Sequence, residues 1–183
     1  CILVAYGMII SDNVINKPKL GFLNLHPSLL PSHRGSSPIQ TALLNGDKKT
    51  GISIIKLTNK VDAGPIIIQK DLIVSDNDNA ETLHNKLANL GAEALIDILP
   101  KYLAGEIKLI IQDESKATYT KKIDREDGEI DWSKKAIEIK RQFQAFYPWP
   151  ALFTHFDGKR LKIANLSVLE GDFNPKLTSG HVF

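Results

Sequence analysis

Apolar segments and amphipathic segments alternate along the chain up to Gly105, which is the pattern of strands and helices that follow one another in an α/β fold. Predicted strands are the short apolar or β-branched runs at residues 1–6, 21–25, 50–57 and 65–74. Helices are predicted at residues 12–17 and 39–45, and a longer one begins near Asp78 or Asn79. This order predicts an open α/β sheet that is mostly parallel.

The pattern changes after Glu106. Residues 112–122 are polar and have no clear period, so we predict a linker there. A helix capped by Ser133 is expected next, and Asp157-Gly158 between two apolar runs is a strong hairpin signal. We therefore predict an α/β domain at residues 1–107, a linker at 108–125 and the start of a small, mostly β domain at 126–183.

Both ends of the sequence indicate a truncated chain. The first residue is Cys1 rather than a methionine, and the chain enters directly on an apolar run that predicts a buried strand. The last residues, GHVF, resemble the beginning of another strand. Since an open apolar edge at residues 1–6 would favour aggregation, we expect a fragment whose upstream strands and helices precede Cys1.

Composition narrows the class of protein. The 183 residues are 43% apolar and 24% charged with a formal charge of +2, which fits a globular domain and does not by itself indicate a nucleic-acid binder. The single cysteine excludes an intrachain disulfide framework. No apolar run approaches the roughly 20 residues that span a bilayer, and no signal-peptide pattern is present. We expect a cytoplasmic monomer.

Three polar residues at or just beyond strand ends are the candidate chemistry. Asn24 and His26 are two positions apart, so both side chains leave the same side of an extended backbone, and Asp62 lies on a glycine-flanked loop. An amide, an imidazole and a carboxylate around one carbonyl are suited to acyl transfer. Each has an ordinary alternative, namely a strand terminator, a loop histidine or a turn former. No second histidine or thiol stands at metal-ligand spacing.

Several segments resemble a known family. LNLHPSLLP, RGSSPIQTALLNGD, TGISIIKL and VDAGPIIIQ resemble the folate-dependent formyltransferases. Downstream, YTKKIDREDGEIDWSKKA and the following FYPWPA resemble the linker and the entrance to the C-terminal domain of the members that act on methionyl-tRNA. The resemblance runs essentially from Cys1 to Phe183.

The resemblance implies a fold, a reaction and site residues. The fold would be the C-terminal part of a Rossmann-like formyltransferase domain, then a linker and the beginning of an OB-like β-barrel that binds tRNA. The reaction would transfer a formyl group from 10-formyltetrahydrofolate to the amino group of initiator methionyl-tRNA. Asn24, His26 and Asp62 match the catalytic trio, and the folate-contacting segment matches Ser28, Leu29, Leu30 and Pro31. Because the upstream half would be missing, we expect this chain alone to be inactive.

Some alternatives stay open at this point. The acceptor could instead be glycinamide ribonucleotide, a nucleotide-linked amino sugar, or water in a formyl-folate hydrolase. Either His26 or Asp62 could be the base. Arg34 could meet the acidic tail of the folate or a tRNA phosphate, or be a solvated surface residue. Acidic residues are interleaved with the basic residues that could contact tRNA. These basic residues are Lys121, Lys122, Lys134, Lys135, Lys140 and Arg141.

Overall fold

Four strands form the central sheet in the computed structural model, which describes residues 1–8 and 10–168. In the order in which they lie side by side, they are β1 (Ile2–Val4), β2 (Leu23–His26), β3 (Lys49–Lys56) and β4 (Ile66–Ile73). β1 and β2 are parallel, whereas β2–β3 and β3–β4 are antiparallel. The fold is therefore α/β with a mixed sheet, and the prediction of a mostly parallel sheet is wrong for the described residues.

The short connections explain the direction of the strands. Parallel neighbours need a crossover of a dozen or more residues, and the loop at residues 57–65 between β3 and β4 is too short for one. Between β2 and β3, the loop and the eight-residue helix α2 (Pro38–Asn45) return the chain to the end of the sheet at which β2 finished. Hydrophobic pattern alone does not carry this information.

β1 is shorter and more exposed than predicted. It has three residues, and Ile2 and Val4 are 47% and 55% exposed. Within the described residues no strand pairs with its outer edge.

Local sequence signals set the helices. The remaining helices are α1 (Asp12–Ile15), α3 (Ala80–Leu103) and α4 (Ala136–Ala145). The sequence predicts a cap near Asp78 or Asn79, and the Asn79 side chain accepts from the Thr82 N–H in a capping box at the start of α3. The N-cap predicted at Ser133 is wrong: α4 begins after Lys135, and the Ser133 hydroxyl donates to Asp131 instead.

One continuous apolar core holds the helices against the sheet. Leu83, Leu87 and Ala94 of α3 pack with Ile52 and Ile54 of β3. At Gly91 the helix comes so close to β2 that an added Cβ would lie 2.6 Å from a methyl carbon of Leu25. α3 is therefore seated directly against the strand that carries Asn24 and His26.

The same core continues beyond the linker. Ile123, Ile139 and Phe146 belong to it, together with Leu152. A hairpin follows, formed by β5 (Phe153–Phe156) and β6 (Lys159–Lys162), and the positive φ values of Asp157 and Gly158 confirm the predicted turn. The rest of the predicted OB-like barrel, including the strand predicted at the last residues, lies outside the described residues, so the barrel stays a prediction.

Within residues 1–8 and 10–168, no helix combines the length and the apolar character that crossing a bilayer requires.

Candidate active site

β2 directs two polar side chains into one cleft. Asn24 and His26 both line a cavity of ≈ 740 Å³ beside the sheet, which agrees with their spacing of two along a strand. Val4, Leu57 and Leu87 contribute apolar surface to the same cavity. The cleft thus combines apolar walls with a small polar centre, which is the usual composition of a site for a small organic molecule.

Asp62 reaches this cleft by a route that the sequence did not predict. β3 is antiparallel to β2, and its last residue, Lys56, pairs with Leu23 at the beginning of β2. The loop at residues 57–65 must therefore fold back over the sheet to bring Asp62 beside Asn24 and His26. Asp62 lies in the left-handed region with φ 47°, a conformation that Asp adopts more readily than most residues.

The three side chains lie within one polar cluster. Asn24 Nδ2 donates to Asp62 Oδ1 at 3.4 Å, and His26 Nδ1 lies 3.6 Å from Asp62 Oδ2. The Gly35 N–H also donates to Asp62 Oδ2, at 2.8 Å. Asp62 is thus the common partner of the amide, the imidazole and the loop that follows β2.

A backbone carbonyl sets the tautomer of His26. Nε2 lies 2.9 Å from the carbonyl oxygen of His33, and since a carbonyl oxygen only accepts, Nε2 carries a proton. His26 is 4% exposed, so the ring is held in place. Nδ1 is then the ring nitrogen that faces Asp62 and is available for proton transfer.

The residues predicted to contact folate do not line this cleft. Ser28 and Leu30 are buried, and Leu30 packs with Ile55 and Ile66. Their polar groups are already paired, because Ser53 Oγ donates to the Ser28 carbonyl and accepts from the Leu30 N–H. Leu29 and Pro31 are half-buried beside them. The folate contact of this segment therefore stays a prediction.

Both predictions for Arg34, contact with an external anion and a solvated surface position, are wrong. Its side chain is 0% exposed, so it is neither a solvated surface residue nor free to meet an external anion. It donates to Gln112 Oε1, to both carboxylate oxygens of Glu114 and to the Tyr119 hydroxyl. Hydrogen bonding with Glu114 raises the pKa of Arg34 and holds that of Glu114 below its usual range. These partners are about 80 positions downstream, which is why no local pattern indicates them.

The predicted linker packs against the site. Gln112 is 5% exposed, and its Nε2 donates to the carbonyl oxygens of Asp62 and Gly64, both at 2.7 Å. Arg34 and Tyr119 form an isolated parallel β-bridge. The sequence did not predict the roles of Gln112 and the Gly35 N–H, because Gln112 is one of several polar residues that follow the apolar run LII.

The basic residues near the linker are partly committed within the chain. Lys121 pairs with Asp127, and Arg141 Nη1 donates to the carbonyl oxygen of Asn45 at 3.5 Å. Lys122, Lys134 and Lys135 are exposed. Among the described residues, no three His, Cys, Asp or Glu side chains are grouped so that they could hold a metal ion.

Comparison with known proteins identifies the class. A family model described as formyl transferase matches residues 1–99, and one described as formyl transferase, C-terminal domain, matches residues 122–183. The chain therefore belongs to the formyl transferase family.

Individual relatives show which members of the family the chain resembles in sequence. Over 176 residues the chain is 43% identical to a methionyl-tRNA formyltransferase of Coxiella burnetii, covering 95% of this chain and 56% of that protein. The chain spans about half the length of the curated relatives it matches.

Solved structures of low identity support the fold. A 4-N formyltransferase from Francisella tularensis superposes with a TM-score of 0.79 at 21% identity, covering 92% of this chain and 70% of that one. An N-formyltransferase from Helicobacter canadensis, in complex with folinic acid and dTDP-3-aminofucose, gives 0.66 at 22% identity, covering 74% and 51%. Both share the Rossmann-like α/β fold.

Proposed function

We propose that the complete protein containing this chain transfers a formyl group from 10-formyltetrahydrofolate to the α-amino group of initiator methionyl-tRNA. The observation that carries the proposal is that the side chains of Asn24 and His26 both lie within 3.6 Å of the Asp62 carboxylate in one cleft. The 43% identity to a methionyl-tRNA formyltransferase supports the choice of reaction and acceptor.

Asn24 is suited to stabilise the charge that develops during the transfer. When the amine attacks the formyl carbon, the carbonyl oxygen gains negative charge. A side-chain amide has two N–H donors, and only one of those of Asn24 is directed to Asp62. The second can donate to the oxygen, and the loss of such a donor typically costs about 3–4 kcal/mol in the barrier.

The pair formed by His26 and Asp62 is suited to carry the proton. An α-amine with a pKa near 8 must lose a proton before or during attack. His26 Nδ1 can accept it because Nε2 is already committed to the His33 carbonyl, and Asp62 would stabilise the resulting imidazolium. His26 would then give this proton to the folate nitrogen as the bond between that nitrogen and the formyl carbon breaks, so that tetrahydrofolate leaves as a neutral amine. We assign this role to the pair, since His26 Nδ1 and Asp62 Oδ2 face each other across 3.6 Å.

The proposal includes the donor and the organisation of the chain. The apolar walls of the ≈ 740 Å³ cleft are suited to an aromatic pterin ring, and Ser28, Leu29, Leu30 and Pro31 are proposed to contribute to donor binding through the loop that they shape. We further propose that residues 1–107 are part of the catalytic domain, 108–125 a linker, and 126–183 the start of an OB-like tRNA-binding domain.

The test is a label-transfer experiment on the full-length protein. Labelled 10-formyltetrahydrofolate is incubated with methionyl-tRNA, glycinamide ribonucleotide, a nucleotide-linked amino sugar or no acceptor. We expect label on methionyl-tRNA only. Label on another acceptor, or release as formate without any acceptor, contradicts the proposal and identifies the alternative reaction.

A further inference from the structure

Gln112 forms hydrogen bonds to both loops of the candidate site. Its Nε2 donates to the carbonyl oxygens of Asp62 and Gly64, each at 2.7 Å. Its Oε1 accepts from Arg34 Nε at 3.1 Å and from Arg34 Nη2 at 2.8 Å. Both donors and both acceptor positions of the amide are therefore used, in a side chain that is 5% exposed.

Each of these bonds ends next to the polar cluster. Asp62 itself is held through its own carbonyl. Arg34 lies between His33, whose carbonyl accepts from His26 Nε2, and Gly35, whose N–H donates to Asp62 Oδ2. One amide thus connects the backbone of Asp62 with the loop that orients His26.

The segment around Gln112 fixes Arg34 from several sides. The Arg34 N–H donates to the Thr118 carbonyl at 2.9 Å, and the Thr120 N–H donates to the Arg34 carbonyl at 2.7 Å. Glu114 accepts from two guanidinium nitrogens at 2.8 and 2.9 Å. The loop that carries His33 and Gly35 therefore cannot move without breaking contacts to residues 112–120.

Asp62 needs such a restraint. Its φ of 47° is unfavourable for a residue with a side chain, and an unfavourable backbone conformation persists where surrounding contacts over-determine it. The two bonds from Gln112 Nε2 hold the carbonyl groups of Asp62 and Gly64, the residues on either side of Ala63.

We propose that Gln112 is a positioning residue that holds Asp62 and His26 in their working geometry, a role that rests on the proposed formyl transfer. Gln112 does not line the cleft, so it acts through Asp62 and Arg34 and not by touching a substrate. Misplacing a reacting group by about 1 Å can lower a rate by about 10²-fold.

The test compares Gln112→Met with Gln142→Met in the full-length protein. Gln142 is a matched control, because it is 8% exposed and its Nε2 also donates to two backbone carbonyls, those of Asp127 and Glu129. We expect Gln112→Met to lower kcat by roughly 10–100-fold, with the KM for the folate donor nearly unchanged. Gln142→Met should leave kcat near the wild-type value. Equal losses of kcat in the two variants, or none in Gln112→Met, would overturn the proposal.

A second measurement is independent of the reaction. Hydrogen exchange of the Gly35 amide reports its bond to Asp62 Oδ2. Exchange should be about ten times faster or more in Gln112→Met and unchanged in Gln142→Met. Unchanged exchange in Gln112→Met refutes the positioning role even if the wild-type protein transfers no formyl group, whereas a wild-type protein without transfer activity refutes only the proposed function.

Discussion

At the scale of single residues, Asp62 carries more constraints than any other member of the polar cluster. It adopts a positive φ, accepts from Asn24 and Gly35, and faces the imidazole of His26. Its neighbours therefore determine where its carboxylate points. This explains how an aspartate in a turn-forming sequence, Asp-Ala-Gly, can belong to a site and not only to a turn.

Arg34 gives a prediction about stability. In Arg34→Met the Oε1 of Gln112 loses both of its donors while it stays buried, which costs about 1–3 kcal/mol. Glu114 is 65% exposed, so water can solvate it after the substitution. Urea unfolding should show this loss for Arg34→Met. Arg125→Met is the control, since Arg125 is exposed, and it should change the free energy of unfolding by less than about 0.5 kcal/mol. If Arg34→Met lowers the free energy of unfolding as little as Arg125→Met does, the stabilising role of the Arg34–Gln112 contact is contradicted.

The candidate site was only partly predictable at this scale. The spacing of Asn24 and His26 places both side chains on one face, and the sequence motif indicates Asp62. The contacts of Arg34 and Gln112 were not predictable, because each joins residues about 50 to 80 positions apart and leaves no local pattern.

At the scale of elements, Asp78 stabilises the beginning of α3. Its carboxylate accepts from the Ser75 N–H, the Thr82 hydroxyl and Lys86 Nζ. Burial raises the pKa of Asp78, but hydrogen bonds from Lys86, Ser75 and Thr82 outweigh burial and hold this pKa below its usual value.

This shift predicts a pH dependence of stability. Because the pKa is lower in the folded chain, the contribution of Asp78 is fully present above the unfolded-state pKa of about 3.9 and is lost as the pH falls through the folded-state pKa. Asp78→Asn should therefore be less stable than wild type at pH 7, and the difference should shrink below about pH 4.

Urea unfolding at pH 7 and at low pH measures this difference. Asp76→Asn is the control, because Asp76 is an exposed partner of Lys48 and such pairs contribute about 0–1 kcal/mol. A difference between Asp78→Asn and wild type that stays constant with pH would contradict the assignment.

Helix starts were partly predictable, whereas strand directions were not. α3 begins at a cap formed by Asn79, one of the two residues predicted, whereas the cap of α4 lies two residues beyond the predicted Ser133. The direction of β3 depends on where the long polar loop after His26 returns the chain. That path is set by contacts with residues 112–121, which are distant in sequence.

At the scale of the whole molecule, one apolar core extends from Leu23 to Leu152. It includes Ile139 and Phe146 of the region that follows the linker. The α/β part and residues 123–152 should therefore unfold together rather than in two steps.

Spectroscopy can separate the two parts of this chain. Both tryptophans, Trp132 and Trp149, lie after the linker, while the 24-residue helix α3 dominates far-UV circular dichroism. We expect the two urea transitions to coincide. Ile139→Ala should lower the free energy of unfolding by about 2–5 kcal/mol in both transitions. Ile137→Ala, at an exposed position of the same helix, should lower it by much less. A fluorescence transition that precedes the loss of helix would show separate units.

Whether His26 and Asp62 together carry the proton can be tested by a double-mutant cycle on the rate of formyl transfer in the full-length protein. His26→Ala should lower the single-turnover rate by roughly 10²–10⁴-fold, because we propose that the imidazole carries the proton. If His26 and Asp62 act as one unit, as proposed, the double variant His26→Ala/Asp62→Ala should be no slower than the slower single variant. Losses that multiply in the double variant, or a near-normal rate in His26→Ala, would contradict the account.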